Sequence, residues 1–268
     1  MRLNKDGSLD TQFGKGNDGT PDGIVNIDLG LGDDIGKAVA LTVDEKIVVV
    51  GDHTVSDSSD IVVAVLKKNG DLDTTFGTSS DGTPDGVVDI SLGDGDDTAS
   101  SVAVQKDGKI VVAGSSILNG SSNMEVIRLT RQGILDATFG TANDGTPDGV
   151  VNIDLGAGND VGNALAIQVN GNIVIAGSHE VDGSTDMIVA RLLKNGALDK
   201  SFGTANDGTP DGVVDLSLGN GNDEANAVAL IGDEKIVVTG SSIQDGSSNI
   251  EVVRLLAKTT KTNGRQYH

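Results

Sequence analysis

The chain has 268 residues, a formal net charge of −21 at pH 7 and no cysteine. This charge disfavours nucleic acids and anionic membranes as partners and favours cations, while the lack of cysteine excludes disulfides and zinc–thiolate sites. Aromatic residues make up only 2%, so the core must consist of Val, Ile, Leu and Ala, which favours β-sheet. No apolar run reaches transmembrane length.

The first element is a short signature, Gly-x-Leu-Asp-x-x-Phe-Gly, at residues 7–14. It returns at residues 70–77, 133–140 and 196–203, each time after 63 residues, so four repeats cover nearly the whole chain. We predict that its aspartate caps a local turn by accepting a backbone N–H. The four aspartates are Asp10, Asp73, Asp136 and Asp199. Catalysis by them is disfavoured, because no acid or base partner recurs beside them.

The start, Met1-Arg2-Leu3-Asn4, is not typical of a signal peptide, and we expect a piece of a longer protein.

A nine-residue loop follows each signature and reads Asp-x-Thr-x-Asp-Gly-x-x-Asp/Asn, at residues 18–26, 81–89, 144–152 and 207–215. Oxygen-bearing side chains stand at positions 1, 3, 5 and 9, position 7 can offer a carbonyl, and glycine at position 6 permits a sharp turn. Such a set of oxygen ligands suits Ca²⁺. The alternative is that Pro-Asp-Gly simply forms a turn.

The predicted calcium ligands occupy the same five positions in each loop. They are Asp18, Thr20, Asp22, Ile24 and Asn26; Asp81, Thr83, Asp85, Val87 and Asp89; Asp144, Thr146, Asp148, Val150 and Asn152; and Asp207, Thr209, Asp211, Val213 and Asp215. Thr at position 3 lowers the number of carboxylates, so the sequence predicts modest affinity.

Four apolar runs per repeat predict four strands. In the first repeat they are residues 24–29, which alternate in polarity, then 38–43, 47–51 and 60–66. Between the first two lies Leu-Gly-x-Gly-x-Asp, interpreted as a tight turn, with an accessory metal ligand as the alternative. Residues 257–268 break the repeat and are predicted to be a disordered tail after a domain at residues 1–256.

One four-stranded meander cannot bury both of its faces alone, so we expect the repeats to stack as blades. The prediction is an all-β propeller of four 63-residue, four-stranded antiparallel blades, either a four-bladed ring or half of a larger ring. A linear stack of sheets is the alternative.

The polar segment before the last strand alternates between two types. Repeats one and three carry His53 with Asp60 and His179 with Asp186, whereas repeats two and four carry Ser and Glu instead, at Ser116 with Glu125 and Ser242 with Glu251. We interpret this as duplication of a two-repeat unit, and these segments as variable loops that could form a ligand surface, with neutral drift after the duplication as the alternative.

The signature Gly7-Ser8-Leu9-Asp10-x-x-Phe13-Gly14, with Asp107-Gly108-Lys109-Ile110-Val111-Val112-Ala113-Gly114 in the next unit, resembles the delta-60 repeat of bacterial β-propellers. The Asp-rich loops are similar to the calcium loops of integrin-type propellers. The resemblance implies a propeller fold and an extracellular or cell-surface setting, and it carries over no catalytic residue.

Two functions from different classes follow. The first is a calcium-binding, non-catalytic structural or ligand-binding module of a bacterial secreted or surface protein, with a protein or glycan ligand at the loop rim. The alternative is a propeller enzyme acting on an extracellular polysaccharide or glycoside. The sequence disfavours the enzyme, because nearly every carboxylate recurs by repeat, whereas active sites draw different residues from different blades.

Overall fold

The fold is described from a computed structural model, which covers residues 1–15, 19–55, 58–77, 85–118, 120–140, 147–203, 211–232 and 234–256. Within them the chain forms fifteen strands. They are β1 (Asp34–Leu41), β2 (Ile47–Val55), β3 (Ser58–Leu66), β4 (Val87–Ile90), β5 (Asp97–Val104), β6 (Ile110–Leu118), β7 (Ser121–Leu129), β8 (Val150–Ile153), β9 (Asp160–Ile167), β10 (Ile173–Val181), β11 (Ser184–Leu192), β12 (Val213–Leu216), β13 (Asp223–Ile231), β14 (Lys235–Gln244) and β15 (Ser247–Leu256). The predicted tail at 257–268 lies outside the described residues.

The strands form four antiparallel meanders, which we number as blades 1 to 4. Blades 1, 2 and 3 have four strands each, β1 to β4, β5 to β8 and β9 to β12, and blade 4 has β13, β14 and β15. The described part of the chain is therefore all-β, as the sequence predicted.

The strand that follows each of the last three calcium-type loops belongs to the preceding blade, which corrects the predicted blade boundary. β4 pairs with β3, Ala64 opposite Val87, so the loop connects the third strand of a blade to its fourth. Residues 24–29 were predicted to open the first blade, but they form no strand in the structure. The choice of partner is made by hydrogen bonds at the edge of a sheet, which a local polarity pattern does not reveal.

The central hairpins are longer than the apolar runs predicted. β2 and β3 pair from Ile47 opposite Leu66 to Val55 opposite Ser58. The segment expected to be a polar loop is therefore strand, and the prediction of a variable loop there was wrong. A register shift between Gly36 and Ala38 marks a bulge in β1.

Consecutive blades pack face to face, with the first strand of each blade against the first strand of the next. Three apolar cores lie between blades 1 and 2, 2 and 3, and 3 and 4. In the first, Val48, Ile61 and Val63 of blade 1 pack against Ala99 and Val112 of blade 2. This is the radial stacking predicted for a propeller.

The signature turns join each blade to the next. The N–H of Gly77 donates to the carbonyl of Gln132 at 2.9 Å, and the equivalent bonds recur at Gly14 and Gly140. Gly133 lies at φ +83°, and a Cβ there would come within 2.8 Å of the Gly77 nitrogen. Only glycine permits this approach of two backbones.

Candidate functional site

The ends of all four calcium-type loops are held in the same way. The N–H of the position 6 glycine donates to the carbonyl of the signature phenylalanine, at 2.7 to 2.9 Å in the four repeats. These glycines lie at φ +87° to +101°, as the sequence predicted for a sharp turn. Each loop therefore leaves and returns at one point at the edge of its blade.

The position 5 aspartates accept a hydrogen bond from the backbone N–H two residues on. Oδ1 of Asp148 lies 3.0 Å from the nitrogen of Val150, and Asp22, Asp85 and Asp211 make the same bond at 2.9 to 3.0 Å. This turn engages one oxygen of each carboxylate.

The position 7 carbonyl points at the Phe-Gly turn that begins the loop. A Cβ on Gly77 would lie 1.9 Å from the oxygen of Val87, and Ile24, Val150 and Val213 stand in the same relation to their glycines. The carbonyl thus lies at the base of the loop, next to the point where the chain enters it.

Positions 1 and 3 fall mostly outside the described residues, namely Asp18, Asp81, Thr83, Asp144, Thr146, Asp207 and Thr209. Thr20 of the first loop is described and is exposed. Among the described residues, no three His, Asp or Glu side chains come together in a way that could hold a metal. The predicted metal ligands stay a prediction.

In the last three loops the position 9 residues lie on the fourth strand and face a polar cluster on their own blade. Nδ2 of Asn152 donates to Oε1 of Glu125 at 2.6 Å, and Oδ1 lies 3.4 Å from Nδ2 of Asn123. In blades 1 and 3 the residue is Asp89 or Asp215, and burial raises the pKa of both carboxyls, with His53 or His179 close by. Asn26 belongs to the segment that forms no strand.

The aspartate of Leu-Gly-x-Gly-x-Asp closes the glycine-rich turn, so the predicted tight turn is confirmed. Oδ2 of Asp97 accepts the N–H of Leu92 at 2.6 Å, and Asp34, Asp160 and Asp223 do the same. A role for these aspartates as accessory metal ligands stays a prediction.

The two sequence types differ in what the second carboxylate oxygen, Oδ1, of this turn-closing aspartate contacts. In blades 1 and 3 it binds histidine, with Nδ1 of His53 2.7 Å from Asp34 and Nδ1 of His179 2.5 Å from Asp160. In blades 2 and 4 serine replaces histidine and bonds a glutamate instead, Ser116 to Glu125 and Ser242 to Glu251, both at 2.8 Å. The histidines and serines occupy equivalent register positions, so all four lie at the same end of their blades.

The histidines and serines are buried rather than displayed. Ser116 is 0% exposed and His53 6% exposed. Oδ1 of Asp97 and Oε2 of Glu125 are buried without a hydrogen-bond partner among the described residues. Burial raises the pKa of Asp97 to about 6 and that of Glu125 to about 7, the latter helped by the Asp97 and Asp148 charges.

Glu125→Gln is expected to flatten the pH dependence of stability. A carboxyl whose pKa is raised on folding stabilises the fold below its unfolded value and loses that contribution as pH rises through the folded value. Because folding raises the pKa of Glu125 from 4.5 to about 7, its contribution to the free energy of unfolding amounts to about 3 kcal/mol. Thermal melts at about pH 5 and pH 8 should show wild type losing stability across this window and the variant losing less.

The exposed Glu224→Gln is the matched control for this charge change, and its pH dependence should equal that of wild type. Equal slopes for Glu125→Gln and wild type would contradict a raised pKa at Glu125.

The signature aspartates cap their turns as predicted, and an arginine that was not singled out in the sequence completes the arrangement. Oδ1 of Asp136 accepts the N–H of Thr138 at 3.1 Å, and Oδ2 accepts Nε of Arg128 at 2.7 Å. The Arg128 guanidinium lies 4.3 Å from the centre of the Phe139 ring. Arg2 and Arg191 repeat this contact at Phe13 and Phe202, and the signal was present as arginine eight residues before the aspartate.

Four segments, at residues 44–76, 105–139, 168–202 and 232–257, match the family described as a domain of unknown function (DUF5122) beta-propeller. These segments are repeats of this beta-propeller family. The alternative of a linear stack is thereby set aside. No curated protein matches the chain. The part of the chain that the structure describes holds no helix long and apolar enough to cross a membrane.

The family matches stop where the calcium-type loops begin. The first three segments end at Phe76, Phe139 and Phe202, and the next begins only after the loop, the fourth strand, the glycine-rich turn and the first strand of the next blade. The family therefore accounts for the two central hairpin strands and the signature, and its description assigns no function to the loops.

Proposed function

We propose that this chain is a calcium-stabilised, non-catalytic propeller module of a bacterial secreted or surface protein. In this proposal each Asp-rich loop binds one Ca²⁺ at the edge of a blade. The extracellular setting follows from the resemblance to delta-60 repeats and to integrin-type calcium loops.

The observation that supports the calcium sites is the common closure of the four loops. Gly86 bonds back to Phe76 at 2.8 Å, so the two ends of this eleven-residue span of the sequence meet. Asp81, Thr83 and Asp85 fall within that span. Two carboxylates and a hydroxyl in so short a span suit a hard cation.

Electrostatics favours a cation at the same place. The chain carries −21, and two aspartates per loop oppose each other by about 1 to 4 kcal/mol at close range in the absence of a counter-charge. Calcium suits a flexible loop of oxygen ligands better than magnesium does, because magnesium demands a small, regular octahedron. With one carboxylate fewer than typical loops of this kind, each site should bind with modest affinity.

We infer that the module is non-catalytic because its polar residues repeat from blade to blade. His53 and His179 recur at equivalent register positions in blades 1 and 3, each opposite an aspartate, and both are buried. A protein or glycan ligand would then bind at the exposed rim that carries the loops. The alternative enzyme, acting on a polysaccharide or glycoside, would need a site that breaks this symmetry.

Asp148→Ala is expected to lower the calcium stoichiometry from four sites to three, because it removes the central carboxylate of one loop. Isothermal titration calorimetry with CaCl₂ measures this number directly. The matched control is Asp154→Ala, since Asp154 caps an equally exposed turn by accepting the N–H of Gly156 at 2.9 Å but lies outside the loop.

The control should keep four sites. An unchanged stoichiometry in Asp148→Ala, or no binding heat in wild type, would refute calcium binding by these loops.

A further inference from the structure

The two ends of the propeller are incomplete in complementary ways. Blades 1, 2 and 3 each end in a short fourth strand, whereas the outer edge of β15 in blade 4 has no partner among the described residues. Ile250 and Val252 on β15 are 87% and 68% exposed. Their equivalents Met187 and Val189 in blade 3 are fully buried.

The other end of the chain holds the sequence counterpart of a fourth strand, without a blade of its own. Residues 24–27 are the repeat equivalents of β4, β8 and β12, and they follow the same loop. In the structure they lie along the open face of blade 1, where Val25 and Ile27 border a groove with Val49 and Ala64. This is the position that the fourth strand of a preceding blade would occupy, since Val88 packs in the same way against blade 2.

The alternation of the two blade types indicates which blade residues 24–27 would complete as a fourth strand. Residues 24–27 read Ile-Val-Asn-Ile and match Val-Val-Asn-Ile of β8, whereas β4 and β12 carry aspartate at the third place. In blade 2 the asparagine of β8 donates to Glu125 at 2.6 Å. Blade 4 is of the same type, because Ser242 bonds Glu251 as Ser116 bonds Glu125. Asn26 therefore carries the amide that suits Glu251, where a carboxylate would repel it.

We propose that residues 24–27 form the fourth strand of blade 4 in a second copy of this chain. The register follows from blade 2, where Glu125 is opposite Asn152 and Ile127 opposite Val150. It places Glu251 opposite Asn26 and Val253 opposite Ile24. The exchange is reciprocal, so two chains form a two-fold symmetric ring of eight blades, within the usual range of propellers.

A second copy, rather than the same chain, is favoured by the open faces at both ends. Val39 and Leu41 of β1 are 64% and 68% exposed, and extensive packing between β1 and β13 is absent from the described part of the chain. The equivalents Val102 and Val104 pack in the core between blades 1 and 2. The open face of blade 1 and the open face of blade 4 are thus the two halves of the interface that recurs three times inside the chain. A second copy covers both open faces. It also pairs with the outer edge of β15, and natural proteins avoid leaving such an edge unpaired.

Disulfide trapping tests the pairing in a protein that has no cysteine of its own. The bond from Arg128 N–H to the Gly149 carbonyl makes Ile127 and Val150 a non-hydrogen-bonded pair, the type with the shorter Cα separation. The equivalent variant Ile24→Cys with Val253→Cys should oxidise to a covalent dimer in non-reducing electrophoresis. The matched control, Ile24→Cys with Val252→Cys, directs the two thiols to opposite faces and should stay uncrosslinked.

Light scattering on the unmodified chain should give twice 27.2 kDa, about 54 kDa. Asn26→Asp should raise the dissociation constant of the dimer about 100-fold, because each dimer contains the Asn26–Glu251 contact twice. Asn152→Asp makes the same change inside blade 2 and should leave association unchanged while lowering the melting temperature.

A monomer at all concentrations would overturn the proposal. So would a disulfide that Ile24→Cys with Val253→Cys forms within one chain, because it would show instead that residues 24–27 close a four-bladed ring. Equal association in wild type and Asn26→Asp would also overturn it.

Discussion

Asp136→Ala is expected to cost about 3–5 kcal/mol of unfolding free energy, because it leaves a buried guanidinium without its partner. Asp136 and Arg128 are each 5% exposed, and Oδ2 of Asp136 accepts both Nε of Arg128 and Nζ of Lys109 at 2.7 Å. The substitution also removes the cap at Thr138. Burial alone would raise the pKa of Asp136, but the hydrogen bonds from Lys109 and Thr138 outweigh it and hold that pKa far below its usual range.

Asp136→Ala is also expected to weaken the contact between blade 2 and blade 3. Nη1 of Arg128 donates to the carbonyl of Lys194 at 2.5 Å, so the pair positions an arginine that joins blade 2 to blade 3. Loss of Asp136 should therefore loosen the contact between blades as well as the turn. Urea denaturation followed by circular dichroism measures the change in free energy.

Asp10→Ala is the matched control, because the same contacts recur there at the surface. Nε of Arg2 lies 2.7 Å from Asp10, but the two side chains are 34% and 21% exposed. Ion pairs open to solvent contribute about 0–1 kcal/mol, so Asp10→Ala should cost far less than Asp136→Ala. Equal costs at the two positions would show that burial is not the cause.

Calcium is expected to raise the melting temperature of the chain by at least about 5 °C over its value in chelator. A cation that binds only the folded loop stabilises by roughly 2.7 kcal/mol at a hundred times its dissociation constant. Four loops multiply the effect, although not additively where blades unfold together. Differential scanning calorimetry in millimolar CaCl₂ and in chelator gives the comparison, with MgCl₂ expected to act weakly.

The control for this prediction removes the position 5 carboxylate from all four loops, by replacing Asp22, Asp85, Asp148 and Asp211 with alanine. Each substitution deletes one local turn bond, so the variant should fold and melt at one temperature with or without calcium. If the wild-type curves in calcium and in chelator superimpose, the loops are turns alone and the calcium proposal is withdrawn.

The amino-acid sequence by itself determined the repeat, the all-β composition and the local turns. The 63-residue period, the spacing of the apolar runs and the glycines of the Phe-Gly and Asp-Gly pairs depend on neighbours close along the chain. For the same reason the cap at Asp136 and the closed turn at Asp97 could be anticipated, since each aspartate accepts a bond within five residues.

Only the tertiary structure decided which strand completes which blade and where the alternating polar residues lie. β4 pairs with β3 across the calcium-type loop, and the segment expected to be a loop at His53 and Ser116 proved to be buried strand. The bond between His53 and Asp34 joins residues on neighbouring strands that lie 19 positions apart in the sequence. Hydrogen bonds at a sheet edge and the face that a neighbour covers are set by partners far along the chain, so no local pattern reveals them.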